Sequence, residues 1–224
     1  MTSMAQHSPD APRLLLVAHG TASPAGAATT ARLRDSIHAA RPSTEVDLCF
    51  LDVVGPRLAD ALDDRPTVVV PLLLSTGYHV QTDIPVAVAP HPHVRVARHL
   101  GPHALLVDAL MDRLRDIPPG SSTALVGTGS SRPEAASELA ESARLLADRL
   151  NRRVHALTFG GDLGAGLAAM PAPVQVSTYL LAEGQFFSAL CDVATGLGSV
   201  AAPLGVHPAL VELVWLRYDE ALVG

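Results

Sequence analysis

The stretch "VVVPLLLSTGYHVQTDIP", Val68 to Pro85, decides how the rest of the chain is read. Its first seven residues, Val68–Leu74, are apolar and strand-like, as expected of a strand buried on both faces. The polar break Ser75-Thr76-Gly77 ends the run, and His79 arrives before the short helical pattern Thr82–Ala89. The same order occurs in "LLLVAHGTASP", where His19 and Gly20 follow the strand pattern Arg13–Ala18. In a parallel α/β sheet, residues just beyond the carboxyl ends of strands gather along one edge, where ligands bind. Two imidazoles are therefore expected on one edge.

Outward from these stretches, strands and helices alternate. Helices are expected at Ala25–Ala40, Pro56–Asp64 and His103–Asp116, and further strands at Glu45–Leu51 and Val94–His99. Such alternation implies α/β architecture with a parallel sheet and helices on both faces. "DIPPGSS", residues 116–122, is a turn-rich linker, and after it the pattern restarts. "LVAHGTASP" (Leu16–Pro24) matches "LVGTGSSRP" (Leu125–Pro133), and "LLLSTGYH" (Leu72–His79) matches "YLLAEGQF" (Tyr179–Phe186). "ARHLGPHALLVDALMDRL" (Ala97–Leu114) matches "AAPLGVHPALVELVWLRY" (Ala201–Tyr218) with seven identities in eighteen positions. A repeat of about 105 residues is a duplicated domain rather than a solenoid of short units. Two similar lobes are expected, 1–118 and 119–224, each a four-stranded parallel sheet flanked by helices, with the active-site cleft between them.

Composition narrows the function. The 224 residues are 48% hydrophobic and 17% charged, enough to bury a sizeable core, and at 4% aromatic content that core must be Val, Leu and Ala. Net charge is −6 with no basic run, which argues against nucleic acid. All 16 basic residues are arginine, so Schiff-base chemistry, pyridoxal-phosphate attachment and the P-loop lysine are excluded. Cys49 and Cys191 form no CxxC pair and read as buried small hydrophobes. The polar N-terminus "MTSMAQHSPDAP" does not read as a signal peptide, and no apolar run reaches the roughly 18 residues of a membrane span, so a cytoplasmic location is expected.

Asp52 follows the second strand in "CFLD", and His103 opens the helix after the fourth. With His19 and His79, Asp52 makes a facial set suited to a divalent first-row metal with positions left open. Taken singly, each is more often a loop residue or a helix cap. The repeat favours function: His19 is replaced by Thr128, His79 by Phe186, and Asp52 by Gly160 or Leu157 depending on the gap, while glycines and apolar positions stay. His103 keeps its counterpart, His207, and so fits a helix-start or ligand-cradling role. The cluster His91, His93 and His99 reads as an exposed turn leading into a strand.

"LLLVAHGT…P", "FLDVVGP" and "VVVPLLLSTGYHVQTDIP" resemble the CbiX/SirB group of sirohydrochlorin chelatases, over both halves of the chain. The resemblance implies that His19 and His79 are the metal-binding and catalytic histidines, and that Asp52 stands where the family usually has Glu. It implies ATP-independent insertion of Fe2+ or Co2+, with Ni2+ a third candidate, into the octacarboxylate tetrapyrrole sirohydrochlorin, and no organic cofactor. The two-lobe form resembles the long members of the group, so a monomer with pseudo-two-fold lobes is expected. Neutral imidazoles suit the chemistry, since they bind borderline metals and accept protons near neutral pH. The substrate carboxylates are expected to meet Gly20, Thr21, Ser75, Thr76, Gly77 and His103 in the first lobe and Thr128, Ser130 and Arg132 in the second, through helix-start amides and a guanidinium. A histidine phosphatase also ends a strand in "RHG", but Ala18 holds the arginine position here. A non-catalytic metal or tetrapyrrole carrier would share the histidines and show no turnover.

Overall fold

The computed structural model describes residues 11–223, so the polar segment Met1–Asp10 lies outside the described residues. Strand β1 (Arg13–Ala18) pairs in parallel with β2 (Val46–Phe50) and β3 (Thr67–Pro71), and β4 (Val94–Val96) adds outside β3. The second half repeats this with β5 (Ser122–Gly127), β6 (Val154–Thr158), β7 (Val174–Thr178) and β8 (Gly198–Val200). The strand orders are β2-β1-β3-β4 and β6-β5-β7-β8, so the duplication read in the sequence is a duplication of topology. Sequence-adjacent strands are parallel and therefore need helical crossovers.

Burial explains why the central strands carry unbroken apolar runs. Along β1, Leu14, Leu16 and Ala18 join a core shared by both lobes. Leu15 and Val17 face the other way, onto Cys49, Leu58 and Ile84. Both faces are dry, so both must be apolar. Cys49 is fully buried and its thiol is pushed up to about 12 by burial, which makes it the inert hydrophobe expected. Helices α1 (Pro24–Ala40), α4 (Ala104–Arg115), α5 (Pro133–Leu150) and α8 (Pro208–Val223) pack between the sheets. The outer faces are covered by α2 (Leu58–Ala61) and α3 (Ile84–Val88) in the first lobe, and by α6 (Leu163–Ala168) and α7 (Gln185–Ala194) in the second.

Three elements are shorter than their patterns predict. The helix expected over Pro56–Asp64 is only Leu58–Ala61: Leu62 turns extended, and Asp63 accepts the Arg65 amide at 3.0 Å, a local turn that competes with helix. The strand expected to Leu74 stops at Pro71, and Leu74 instead gives its carbonyl to the Tyr179 hydroxyl of the other lobe at 3.1 Å. The strand expected to His99 stops at Val96, and the Leu100 amide reaches the Leu73 carbonyl at 2.9 Å.

The contacts between lobes obey the pseudo-two-fold. Arg113 on α4 donates to the carbonyls of Pro203 and Leu204 at 3.1 and 2.8 Å. Its counterpart Arg217 on α8 donates to those of His99 and Leu100, the matching pair, at 3.1 and 3.3 Å. A second reciprocal contact exchanges residue types. Thr29 on α1 donates to Glu183 at 2.8 Å, while Glu138, which occupies the Thr29 position on α5, accepts from Thr76 in the first lobe at 2.8 Å. Arg41 on α1 adds a two-pronged pair to Asp219 on α8, both bonds 2.7 Å, with its guanidinium 4.4 Å from the Trp215 ring centre.

Candidate functional site

Beyond β1 the chain turns sharply at Gly20, whose φ is +98°. A Cβ there would sit 2.0 Å from the Asp52 carbonyl oxygen, so both the turn and the close approach demand glycine. The Asp52 amide in turn donates to the His19 carbonyl at 2.8 Å. This pairing fixes the ends of β1 and β2 together and leaves the His19 side chain exposed. Thr21 accepts the Ser23 amide at 3.1 Å, and Ser23 caps α1 by accepting from Gly26 at 3.3 Å.

His79 is not in a loop, as the sequence pattern suggested, but opens a π-helical turn, His79–Asp83, that runs into α3. The turn places Asp83 against it: His79 Nδ1 and Asp83 Oδ2 are 2.6 Å apart. With Nδ1–H donated to the carboxylate, Nε2 keeps its lone pair for a ligand or a proton. The His19 and His79 ring centres lie 4.8 Å apart, edge to face at 78°. His19 Nδ1 donates to the Gly20 carbonyl at 3.2 Å, leaving its Nε2 in the same state. The structure thus brings together the two histidines that the sequence pointed to.

Asp52 does not join them. Its carboxylate is held below the usual range by the Val53 amide and then by Arg57, whose Nη1 lies 3.0 Å from Oδ1. The Val54 amide reaches back to the Asp52 carbonyl at 2.7 Å, which forces Val53 to φ +68°, a strained value for a β-branched residue. Among the described residues no three His, Cys, Asp or Glu side chains form a metal-holding group. The partner that the sequence reading left unassigned is Asp83, although its four-residue spacing from His79 was a helical-neighbour signal.

Two expected substrate contacts are occupied otherwise. Thr76 is buried, and its amide and hydroxyl both go to Glu138, at 2.5 and 2.8 Å. It is an inter-lobe tie rather than a free donor. His103 caps α4, its Nδ1 accepting the Leu105 amide at 3.2 Å, and its pKa is lowered by burial and by Arg217. His207 repeats the cap on α8, its Nδ1 accepting from Ala209 at 3.1 Å, as the shared helix-start reading expects. Ser75 and Gly77 are half-buried, and a Cβ on Gly77 would lie 3.8 Å from the Ser130 hydroxyl of the second lobe. The matching contact on the other side has Gly184 beside the Thr21 hydroxyl, 3.4 Å away by the same measure. The loops after β1, β3, β5 and β7 therefore interleave at one end of the molecule.

In the second lobe, Gly129 turns at φ +82° as Gly20 does, and Thr128, Ser130 and Ser131 are exposed. Ser130 accepts the Arg132 amide at 3.1 Å, and the Arg132 side chain has no hydrogen-bond acceptor among the described residues. Strand register settles the counterpart of Asp52: Ala18 pairs with Phe50 and Gly127 with Thr158, so Gly160 is the matching residue. His91 and His93 rings are 5.8 Å apart, and His93 Nε2 is tied to the Asp63 carbonyl at 2.6 Å. A cavity of about 400 Å³ lined by Pro12, Pro66, His93 and Arg95 opens at the far end of the first sheet, away from the paired imidazoles.

The chain is similar to known proteins in sequence and in fold. The family described as CbiX matches residues 13–117, the lobe with the paired histidines. That match takes in the first lobe and just under half of the chain. A sirohydrochlorin cobaltochelatase from Priestia megaterium is 26% identical to it over 94% of the chain and 80% of the relative. The Bacillus subtilis subspecies spizizenii chelatase SirB, solved with cobalt, shares the fold at a TM-score of 0.80 and 21% identity, covering 94% of both chains. The CbiX of denitrifying bacteria, described as the terminal enzyme of siroheme biosynthesis, aligns at TM-score 0.69 and 21% identity over 93% of this chain and 99% of its own. The CbiX/SirB fold therefore extends over both lobes. No helix among the described residues is long and apolar enough to cross a membrane.

Proposed function

We propose that this protein is a sirohydrochlorin chelatase of the CbiX/SirB type that inserts Fe2+ or Co2+ into the macrocycle without ATP. The observation that carries the reading is the His19–His79 pair, 4.8 Å apart at the end of the molecule where loops of both lobes interleave. The relative from Priestia megaterium is named for this activity with cobalt, and SirB was solved with cobalt and with Fe3+.

The reaction exchanges two protons for one divalent ion: two pyrrole N–H bonds break, four nitrogen–metal bonds form, and net charge is conserved. The two Nε2 lone pairs hold the arriving ion and, once it passes to the ring, accept the displaced protons. Asp83 keeps the His79 tautomer fixed through this exchange. Asp52, turned to Arg57, acts on the site from outside the ligand set. The first lobe, 1–118, is the metal lobe. The second, 119–224, holds the macrocycle, with Thr128, Ser130 and Arg132 receiving carboxylates beside Thr21 and Ser75 across the cleft. The fused lobes make the chain a monomer, since a two-fold interface is already satisfied internally. A cytoplasmic location fits the reaction.

The test is anaerobic absorbance spectroscopy of sirohydrochlorin with Fe2+, Co2+ or Ni2+, with and without the protein. Metallation faster than the uncatalysed rate, lost in His19→Ala, is the expected result. Binding of metal and tetrapyrrole without any acceleration would replace the chelatase with a carrier.

A further inference from the structure

The chain has four Phe, three Tyr and one Trp, and folding hides most of these rings. Trp215, Tyr179 and Tyr218 are buried, and Phe50, Phe159 and Phe187 are half-buried. Only Tyr78 and Phe186 are exposed, at 57% and 50%. One exposed apolar side chain requires no explanation. Two rings, one from each lobe and both on the edge that carries the histidines, do.

Phe186 takes in the second lobe the place that His79 takes in the first. It leans on Phe159, ring centres 5.2 Å apart and tilted by 56°, and Phe159 is itself packed against the outer core of that lobe. The ring is thus propped from below and open above. The segment just before it, Glu183–Gly184, lies on the first turns of α1, where Thr29 bonds Glu183 and Thr21 adjoins Gly184. That seat puts Phe186 on the edge where His19 stands. Tyr78 directly precedes His79, its ring 6.3 Å from the imidazole and nearly perpendicular to it.

We propose that Phe186, propped by Phe159, is the platform on which one flat face of the macrocycle rests, and that Tyr78 is the facing wall contributed by the first lobe. The inference deepens the chelatase reading and rests on it. Amides and hydroxyls around Thr128–Ser131 suit the carboxylate rim of a tetrapyrrole, but its apolar π-face needs a ring or an alkyl surface. Aromatic rings meet such faces in offset or edge-on geometry, and a propped ring loses little freedom on contact. The second lobe carries a phenyl where the first has the His79 imidazole, so the equivalent position offers a surface for the ring.

The experiment titrates the full chain with metal-free sirohydrochlorin, read by quenching of the tetrapyrrole's own fluorescence, and separately with Co2+ alone. Phe186→Ala is expected to weaken tetrapyrrole binding about tenfold, with Phe186→Tyr close to the unaltered protein and Phe186→Leu in between. Tyr78→Ala is expected to weaken it less, and Co2+ binding is expected to stay within twofold throughout. Equal affinity in Phe186→Ala, or in Phe186→Leu, overturns the platform while leaving chelation by the unaltered protein intact. Failure of the unaltered protein to bind sirohydrochlorin overturns both readings. Circular dichroism of each variant separates loss of fold from loss of contact, and Phe186→Tyr keeps the supporting contact with Phe159.

Discussion

At the ends of β1 and β5 the two lobes have the same backbone and different chemistry. Gly20 and Gly129 both turn at positive φ, Pro24 and Pro133 both open the following helix, and Arg113 and Arg217 both clasp the opposite lobe. Yet His19 faces Thr128 across the pseudo-two-fold, His79 faces Phe186, and Asp52 faces Gly160. Leu190 stands four residues after Phe186, as Asp83 stands four after His79. Everything that shapes the turn was kept twice, and the imidazoles and their carboxylate were kept once. A duplicated fold therefore separates residues that the chain needs to fold from residues that serve one site.

The sharpest way to break this contrast is to make matched substitutions in the two lobes. His19→Ala or His79→Ala should lower metallation by about 10² to 10⁴, the usual contribution of a proton-transfer group. Thr128→Ala should change it by less than about tenfold, since a neutral loop contact has a small net effect. Steady-state absorbance rates measure both, and comparable losses from the two would remove the functional asymmetry.

Asp83→Asn should lower metal affinity by about 10- to 100-fold, as for other groups that orient a histidine ligand, and the equivalent second-lobe position offers no carboxylate to change. Isothermal titration with Co2+ reads this directly. An unchanged affinity would mean that the 2.6 Å contact with His79 has no part in metal binding.

Gly20→Ala and Gly129→Ala probe the backbone that both lobes kept. Both force an L side chain to positive φ, at a cost of about 1 kcal/mol or more. Only the Gly20 variant also pushes a Cβ to 2.0 Å from a carbonyl oxygen, against 3.1 Å from the Thr158 side chain at Gly129. Thermal unfolding should show the larger drop for Gly20→Ala; the reverse order would contradict the packing described for the first lobe.

The smallest effect is one of pH. His99 is buried and its pKa is lowered below 6.5 by burial first, although the Glu138 carboxylate opposes the shift and Arg98 and Arg217 reinforce it. Below pH 6.5 the unfolded chain binds a proton that the folded chain resists, so this stability is complete above pH 6.5 and declines as the pH falls beneath it. Denaturant unfolding from pH 7.5 to 5.5 should be flatter in His99→Gln. The second lobe places Pro203 at that position and contributes no such slope.

Much of this was legible in the chain. Unbroken runs such as Val68–Val70 can only be strands covered on both faces, and their repetition pointed to two similar four-stranded lobes, whose strand order only the structure supplied. The histidine pair followed from strand-end placement alone. What the sequence hid was local competition and long-range pairing. Periodicity could not show that Asp63 would end α2 by taking the Arg65 amide, or that Asp52 would turn to Arg57. Nor could it show that Thr76, apparently a free loop donor, would be claimed by a glutamate 62 residues away in the other lobe.

That glutamate governs which halves can marry. Suppose two copies of the second lobe met as its two lobes now meet each other: Glu138 of one would confront Glu183 of the other, two carboxylates with no cation between them. Ala135, standing where the first lobe has Gly26, would drive its methyl into the Glu183 carbonyl, which a Cβ on Gly26 would approach to 2.1 Å. Two first lobes would set Thr29 against Thr76, without charge and without the acceptor each hydroxyl now has. Only the unlike pair gives every donor its acceptor. Divergence after duplication thus did more than discard one set of imidazoles: it made each half a stranger to its own kind.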